Sequence, residues 1–177
     1  MIDPPWPYED NRCRGAAEQV YPTMTLNQIR LLPIAERAGE EGYLFLWVPT
    51  PHLESAFAVL REWEFDFKTV VTWVKSKLGM GRYFRGCTEH VLFATRGNLP
   101  LREQNLRNWF HAPSGAHSVK PEIFYELVEK ACFGPFLELF ARRPRPGWVC
   151  WGAELEPIHQ TNADVNSREV ADEGELR

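Results

Sequence analysis

Long apolar runs, paired cysteines and an excess of positive charge are all missing from this 177-residue chain. No apolar stretch approaches the roughly 18 residues needed to cross a bilayer, and no signal peptide is evident, so a cytoplasmic protein without membrane contact is expected. The four cysteines, Cys13, Cys87, Cys132 and Cys150, form no Cys-x-x-Cys arrangement, and the five histidines add no companion spacing. That argues against a structural metal or a disulfide framework and suits reduced thiols. A formal net charge of −4 excludes a generic polyanion binder held by global charge. Nucleic-acid contact would have to use local basic patches. Two are visible: Lys75, Lys77, Arg82 and Arg85 around a glycine-rich turn, and Arg142, Arg143 and Arg145 further on. Internal repeats are absent as well.

What the chain does have is apolar and aromatic material: 44% hydrophobic residues and 13% aromatics, with seven tryptophans. That suffices for one compact domain, expected over residues 1–155. Beyond Leu155 the composition turns polar and acidic, with Asp172-Glu173-Gly174-Glu175, and residues 156–177 read as a disordered tail.

Residues 7–25 mix charge, Gly15 and Pro22 without periodicity and read as an active-site loop. Thr25 opens a short helix. Gly42 to Val48 is a nearly continuous apolar run between Gly and Pro, the pattern of a buried parallel strand. A helix follows from about Pro51 to Trp63, then strands over Phe67–Val74 and Val91–Thr95. Arg96 to His117 reads as a polar surface loop, with Trp109 and Phe110 either stacking on substrate or anchoring the loop. From Pro121 a stripe of Ile123, Phe124, Leu127, Val128 and Ala131 predicts an amphipathic helix ending before Gly134. Phe136 to Ala141 is a short apolar strand that carries Glu138, a carboxylate costly to bury unless paired; ribose hydroxyls or an ion pair with Arg142 would account for it.

The most informative stretch is Asp3-Pro4-Pro5-Trp6 followed by Pro7-Tyr8. The prolines give up their N–H groups and stiffen the turn, so the segment offers carbonyls, together with the acceptor-only Asp3 carboxylate. Such acceptors suit an exocyclic amine on a planar base. They favour a pyramidal nitrogen with a localised lone pair, the geometry for in-line attack on a methyl group. Trp6 or Tyr8 could stack on the ring. The plain alternative is a loop opener followed by a packed aromatic.

Further motifs follow in fixed order: Trp73-Val74-Lys75; Gly79-Met80-Gly81-Arg82-Tyr83-Phe84-Arg85 leading to Glu89 and Leu92–Gly97; His117-Ser118-Val119-Lys120-Pro121; Leu137-Glu138-Leu139-Phe140-Ala141-Arg142; and Gly147-Trp148 to Trp151-Gly152. This succession, from Asp3 to about Leu155, resembles the family of the eukaryotic mRNA adenosine-N6 methyltransferase and its bacterial and phage relatives that methylate DNA adenine. The resemblance implies an α/β, Rossmann-like sandwich with a mixed, mostly parallel sheet, and S-adenosylmethionine as methyl donor. It implies catalytic roles for Asp3, Pro4, Pro5 and Trp6, and donor contacts from Ser118, Lys120, Glu138, Phe140, Arg142 and Gly152. Substrate contacts are expected from Tyr8, Lys75, Arg82, Tyr83, Arg85 and Glu89. DNA is the expected polymer, with a homo- or heterodimer as a further expectation.

The chain departs from the family's pattern in two ways. Ala153 stands where the family usually has an Asn that contacts the donor, and only Met1 and Ile2 precede the motif where the family has a full hydrophobic strand. An N-terminally truncated sheet, with a gap beside Asp3 and weakened donor binding, is therefore expected. Two alternatives to an active adenine enzyme follow: a catalytically impaired nucleic-acid-binding or heterodimer partner, or a different amino methyltransferase acting on cytosine N4 or a protein glutamine.

Overall fold

The computed structural model describes residues 1–7, 22–79, 83–115, 119–153 and 155. The expectations for Tyr8, Arg82, Ser118 and the 156–177 tail lie outside the described residues. Among the described residues six strands and four α-helices follow in the order α1 (Leu26–Arg30), α2 (Ile34–Arg37), β1 (Gly42–Val48), α3 (Leu53–Glu62), β2 (Asp66–Lys75), β3 (Thr88–Arg96), β4 (Trp109–Ala112), α4 (Glu122–Ala131), β5 (Phe136–Leu139) and β6 (Trp148–Trp151). One sheet segment has the order β1-β3-β2-β4 and the other is the pair β5-β6.

Ile2 joins them. It bridges in parallel to Leu46 of β1 on one side and to Leu139 of β5 on the other. Its N–H donates to the Phe45 carbonyl and its own carbonyl accepts from Trp47 N–H, both at 2.9 Å, while Leu139 N–H donates to the Met1 carbonyl at 3.0 Å. The expected gap beside Asp3 is thus bridged: two buried residues supply the hydrogen bonds needed to connect β1 and β5, and Asp3 leaves a paired position. Pairings β5–β6, β5–Ile2, Ile2–β1 and β2–β4 are parallel; β1–β3 and β2–β3 are antiparallel. The sheet is therefore mixed and mostly parallel.

The period-two alternation of β1 sorts its side chains onto two faces. Phe45 and Trp47 join Val71, Trp73, Val91, Phe93 and Phe110 under α4, which contributes Phe124, Tyr125 and Val128. Leu44, Leu46 and Val48 join Ile2, Leu92 and Ala94 under α1 and α3, which contribute Ile29, Ala56, Val59, Leu60 and Trp63. The result is a helix–sheet–helix sandwich. Thr25 starts α1 with a capping box to Gln28. Among the described residues no helix is long and apolar enough to cross a membrane.

The sequence reading misses β4. Its four residues pair in parallel with Thr72–Lys75, burying Phe110 and leaving Trp109 half-exposed under the Arg107 guanidinium, 5.6 Å from the ring centroid. So short a strand is fixed by its neighbour and not by local pattern. The α4 stripe is also rotated from expectation: Ile123 is exposed and Tyr125 takes the buried position.

Ile2 is the side chain between the two sheet segments and is almost fully buried. Ile2→Ala should cost about 2–5 kcal/mol in urea unfolding; a loss below about 1 kcal/mol would show that this seam does not carry the fold.

Candidate active site

Strand direction gathers the motifs at one end. Ile2 runs parallel to β1 and β5, so Asp3, Pro49 and Phe140 all leave the sheet on the same side. β2 and β4 run the same way, being related to β1 through the antiparallel β3, so Ser76 and Pro113 leave the sheet there too. β6, parallel to β5, delivers Gly152 to that end. In open α/β sheets this carboxyl end is where ligands bind.

At its centre Lys120 Nζ lies 2.6 Å from Asp3 Oδ2, and 4.1 Å from the Trp47 ring centroid. The ammonium is held between a carboxylate and an aromatic face, which orients Asp3. Behind it the Pro4–Trp6 segment closes a three-residue turn, Trp6 N–H to Pro4 carbonyl at 2.8 Å, and Met24 N–H donates to the Pro5 carbonyl at 2.8 Å. One lone pair of the Pro4 carbonyl remains for a ligand donor. Pro4 itself is fully buried.

Trp6 differs from the expected stacking platform. Its Nε1–H donates to the Trp47 carbonyl at 2.8 Å, and its ring stacks on His52 at 5.4 Å and 15°. His52 Nε2 in turn donates to the Pro7 carbonyl at 2.7 Å. The indole is a buried brace for the turn, with little face left for a base.

Glu138 is buried at the end of β5, where the Tyr125 hydroxyl donates to its two oxygens at 3.1 and 3.2 Å. Burial raises its pKa, opposed by the Tyr125 hydrogen bond and by the Met1 ammonium. That ammonium donates to the Leu137 carbonyl at 2.7 Å, and burial pushes its own pKa down to about 6. An ion pair with Arg142 is not what the structure gives Glu138; Arg142 lies half-buried at the start of the β5–β6 connection. Phe140 adopts a left-handed backbone at φ 62° and sets its ring edge-on to Trp151, 6.1 Å away. Gly152 is required by close approach: a Cβ there would overlap the Ala141 carbonyl oxygen, whose residue is already tied to Trp151 by an N–H···O bond of 2.9 Å.

The remaining candidates form a second group. Lys75 and Glu89 pair with each other across the root of the β2–β3 connection, and the Lys75 ammonium sits 4.7 Å from the Trp73 ring centroid. Tyr83 and Arg85 are exposed beyond them. The other basic patch is largely spent internally: Arg145 pairs with Glu122 and, at 2.9 Å, with Glu129, while Arg143 lies 3.6 Å from Glu122. Those contacts clamp α4 to the β5–β6 connection.

Trp47, His52 and Tyr125 were not singled out by the sequence reading. Tyr125 had a signal, since it lies three residues before Val128 on the stripe that α4 buries; Trp47 and His52 had none, their roles arising from contacts about 40 residues away in sequence with Trp6 and Pro7.

Comparison with known proteins agrees with this geometry. The MT-A70 family model matches residues 1–154. The chain is 30% identical over 168 residues to the type II methyltransferase M.MunI of Mycoplasma sp, covering 92% of this chain and 68% of that protein. It is 29% identical over 180 residues to the human N(6)-adenosine-methyltransferase catalytic subunit METTL3, covering 95% of this chain but 30% of METTL3. To the mouse N(6)-adenine-specific methyltransferase METTL4 it is 25% identical, spanning 36% of that relative. With its family model matched over most of its length, and with the acidic-proline-aromatic turn set against Lys120 at the carboxyl end of the sheet, the chain belongs to the MT-A70 family of S-adenosylmethionine-dependent adenine-N6 methyltransferases.

Proposed function

We propose that this chain methylates the 6-amino group of adenine in DNA, with Asp3 and the Pro4 carbonyl as acceptors for the two amine hydrogens. The observation that carries this reading is the Asp3–Lys120 pair at 2.6 Å, at the end of the sheet where the Pro4–Trp6 turn also lies. The bound donor supplies an electrophilic methyl group. Asp3 and Pro4 draw the amine hydrogens aside so that the nitrogen lone pair localises toward that methyl, an interaction worth most as charge develops on the nitrogen. As the new N–C bond formed at the expense of the donor's S–C bond, whose electron pair would stay on sulfur, Asp3 would be the acceptor placed to take the surplus proton.

The residues on the other side of Asp3 fit the donor. Glu138, buried and fixed by Tyr125, can accept from ribose hydroxyls. Lys120, cationic and preceding the first turn of α4, can receive a carboxylate. Gly152 lets the backbone come close where any side chain would block it. DNA is favoured over RNA by the match to a bacterial methyltransferase across 68% of that protein. Reaching adenine in a duplex then requires flipping it out of the stack. A cytoplasmic location and a homo- or heterodimer complete the reading; the description of METTL3 as a catalytic subunit supports an assembly.

Asp3→Ala should lower methyl transfer to an adenine-containing oligonucleotide about 10²–10³-fold, the chain staying folded at room temperature by circular dichroism though with a lower melting temperature, since Lys120 loses its partner. Near-normal turnover would exclude Asp3 from the reaction. Gly152→Ala should lose donor binding in calorimetric titration, together with stability, because the Ala141 backbone must move. Ala153→Asn should tighten donor binding several-fold by restoring an amide to the site; an unchanged affinity would mean that another group already fills that need.

A further inference from the structure

The connection between β2 and β3, residues 76–87, is the part of the carboxyl end that amine chemistry and donor binding leave unused. Its root is rigid. Lys75 N–H donates to the Cys87 carbonyl at 2.7 Å and Gly79 N–H to the Gly86 carbonyl at 2.6 Å, while the Lys75–Glu89 pair closes the base. The strand pairing therefore continues past the sheet as a narrow arm. At its far end Tyr83 and Phe84 are exposed at 103% and 87%, and Leu78 at 73%. Among the described residues no other ring packs against either aromatic. Tyr83 is held in the left-handed region at φ 57°, an unfavourable place for a bulky side chain.

An exposed aromatic pair on a braced arm is costly in water and calls for an occupant. Charge identifies it. Residues 76–87 carry Lys77, Arg82 and Arg85 and no carboxylate, in a chain whose net charge is −4. Cations flanking exposed rings are the combination that tracks a phosphate backbone and stacks on bases. The arm also leaves the sheet at the end where Asp3 stands.

We propose that Tyr83 and Phe84 form a wedge that enters the base stack beside the target adenine and fills the place it vacates. The inference rests on the reading of DNA as substrate and adds how the duplex is opened. Proteins that kink or open duplexes commonly drive apolar side chains between base steps, and a vacated stack is refilled at lowest cost by another flat ring. Lys77 and Arg85, both exposed on the same connection, supply cations for the neighbouring phosphates.

The test needs the methylated site first. Unmethylated plasmid DNA is treated with the full chain and S-adenosylmethionine, and the modified adenines are read by single-molecule sequencing. Two oligonucleotide duplexes with that site are then compared, one with the target adenine paired to thymine and one with an abasic position opposite it, where there is no pair to break. For Y83A/F84A the ratio of kcat/KM on the unpaired duplex to that on the paired one should rise about tenfold over wild type. Tyr83→Gly, which relieves the left-handed strain, should shift the ratio in the same direction without lowering the melting temperature. Equal loss on both duplexes would reduce the arm to an ordinary contact, and no loss on either would leave it to a protein partner; either result overturns the wedge. A wild-type chain that methylates no plasmid DNA would instead sink the DNA reading, and the wedge with it.

Discussion

The backbone pairing of Met1 and Ile2 is the constraint on which the rest depends. Without it β5-β6 and β1-β3-β2-β4 share no hydrogen bonds among the described residues; with it they form one surface whose loops open at one end. Three consecutive residues thereby divide the labour. Met1 pairs toward β5, Ile2 spans both neighbours, and Asp3 projects from the seam. The helix α4 is laid across the same line, with Phe124 against Trp47 of β1 at 4.8 Å and Tyr125 against Trp148 of β6 at 5.3 Å.

Electrostatics follow that layout. Asp3, Lys120, Glu138 and the Met1 amino group come together at the seam: Lys120 pairs with Asp3, Tyr125 holds the buried Glu138 carboxyl, and burial favours the neutral form of the Met1 amine. Arg143 and Arg145, which look like part of a nucleic-acid patch in the sequence, pair with Glu122 and Glu129 of α4, and Arg145 also stacks over Tyr125 at 4.4 Å, fixing the helix that positions Tyr125.

Much of this was legible from residue order. The Gly42–Val48 strand, though it pairs antiparallel with β3 where its apolar run suggested parallel neighbours, the Thr25 cap and the β2, β3 and β5 strands follow from local periodicity and turn residues, and motif succession named Asp3 and Lys120, which the fold pairs. What sequence could not give is what non-local pairing decides. β4 is four residues long and exists because Thr72–Lys75 lies beside it. Trp6 looks like a stacking platform until Trp47 and His52 are seen to claim its N–H and one face.

The seam has a consequence for how the molecule responds to its ligands. The groups proposed for the donor, Glu138 and Gly152, belong to the β5-β6 half, whereas the candidate nucleic-acid arm belongs to the four-stranded half, and Asp3, the proposed reacting carboxylate, sits on the short join between them. A molecule seated against both halves acts as a cross-strut over the thinnest part of the sheet. Occupancy would then add to the bracing that α4 already gives the seam from its other face.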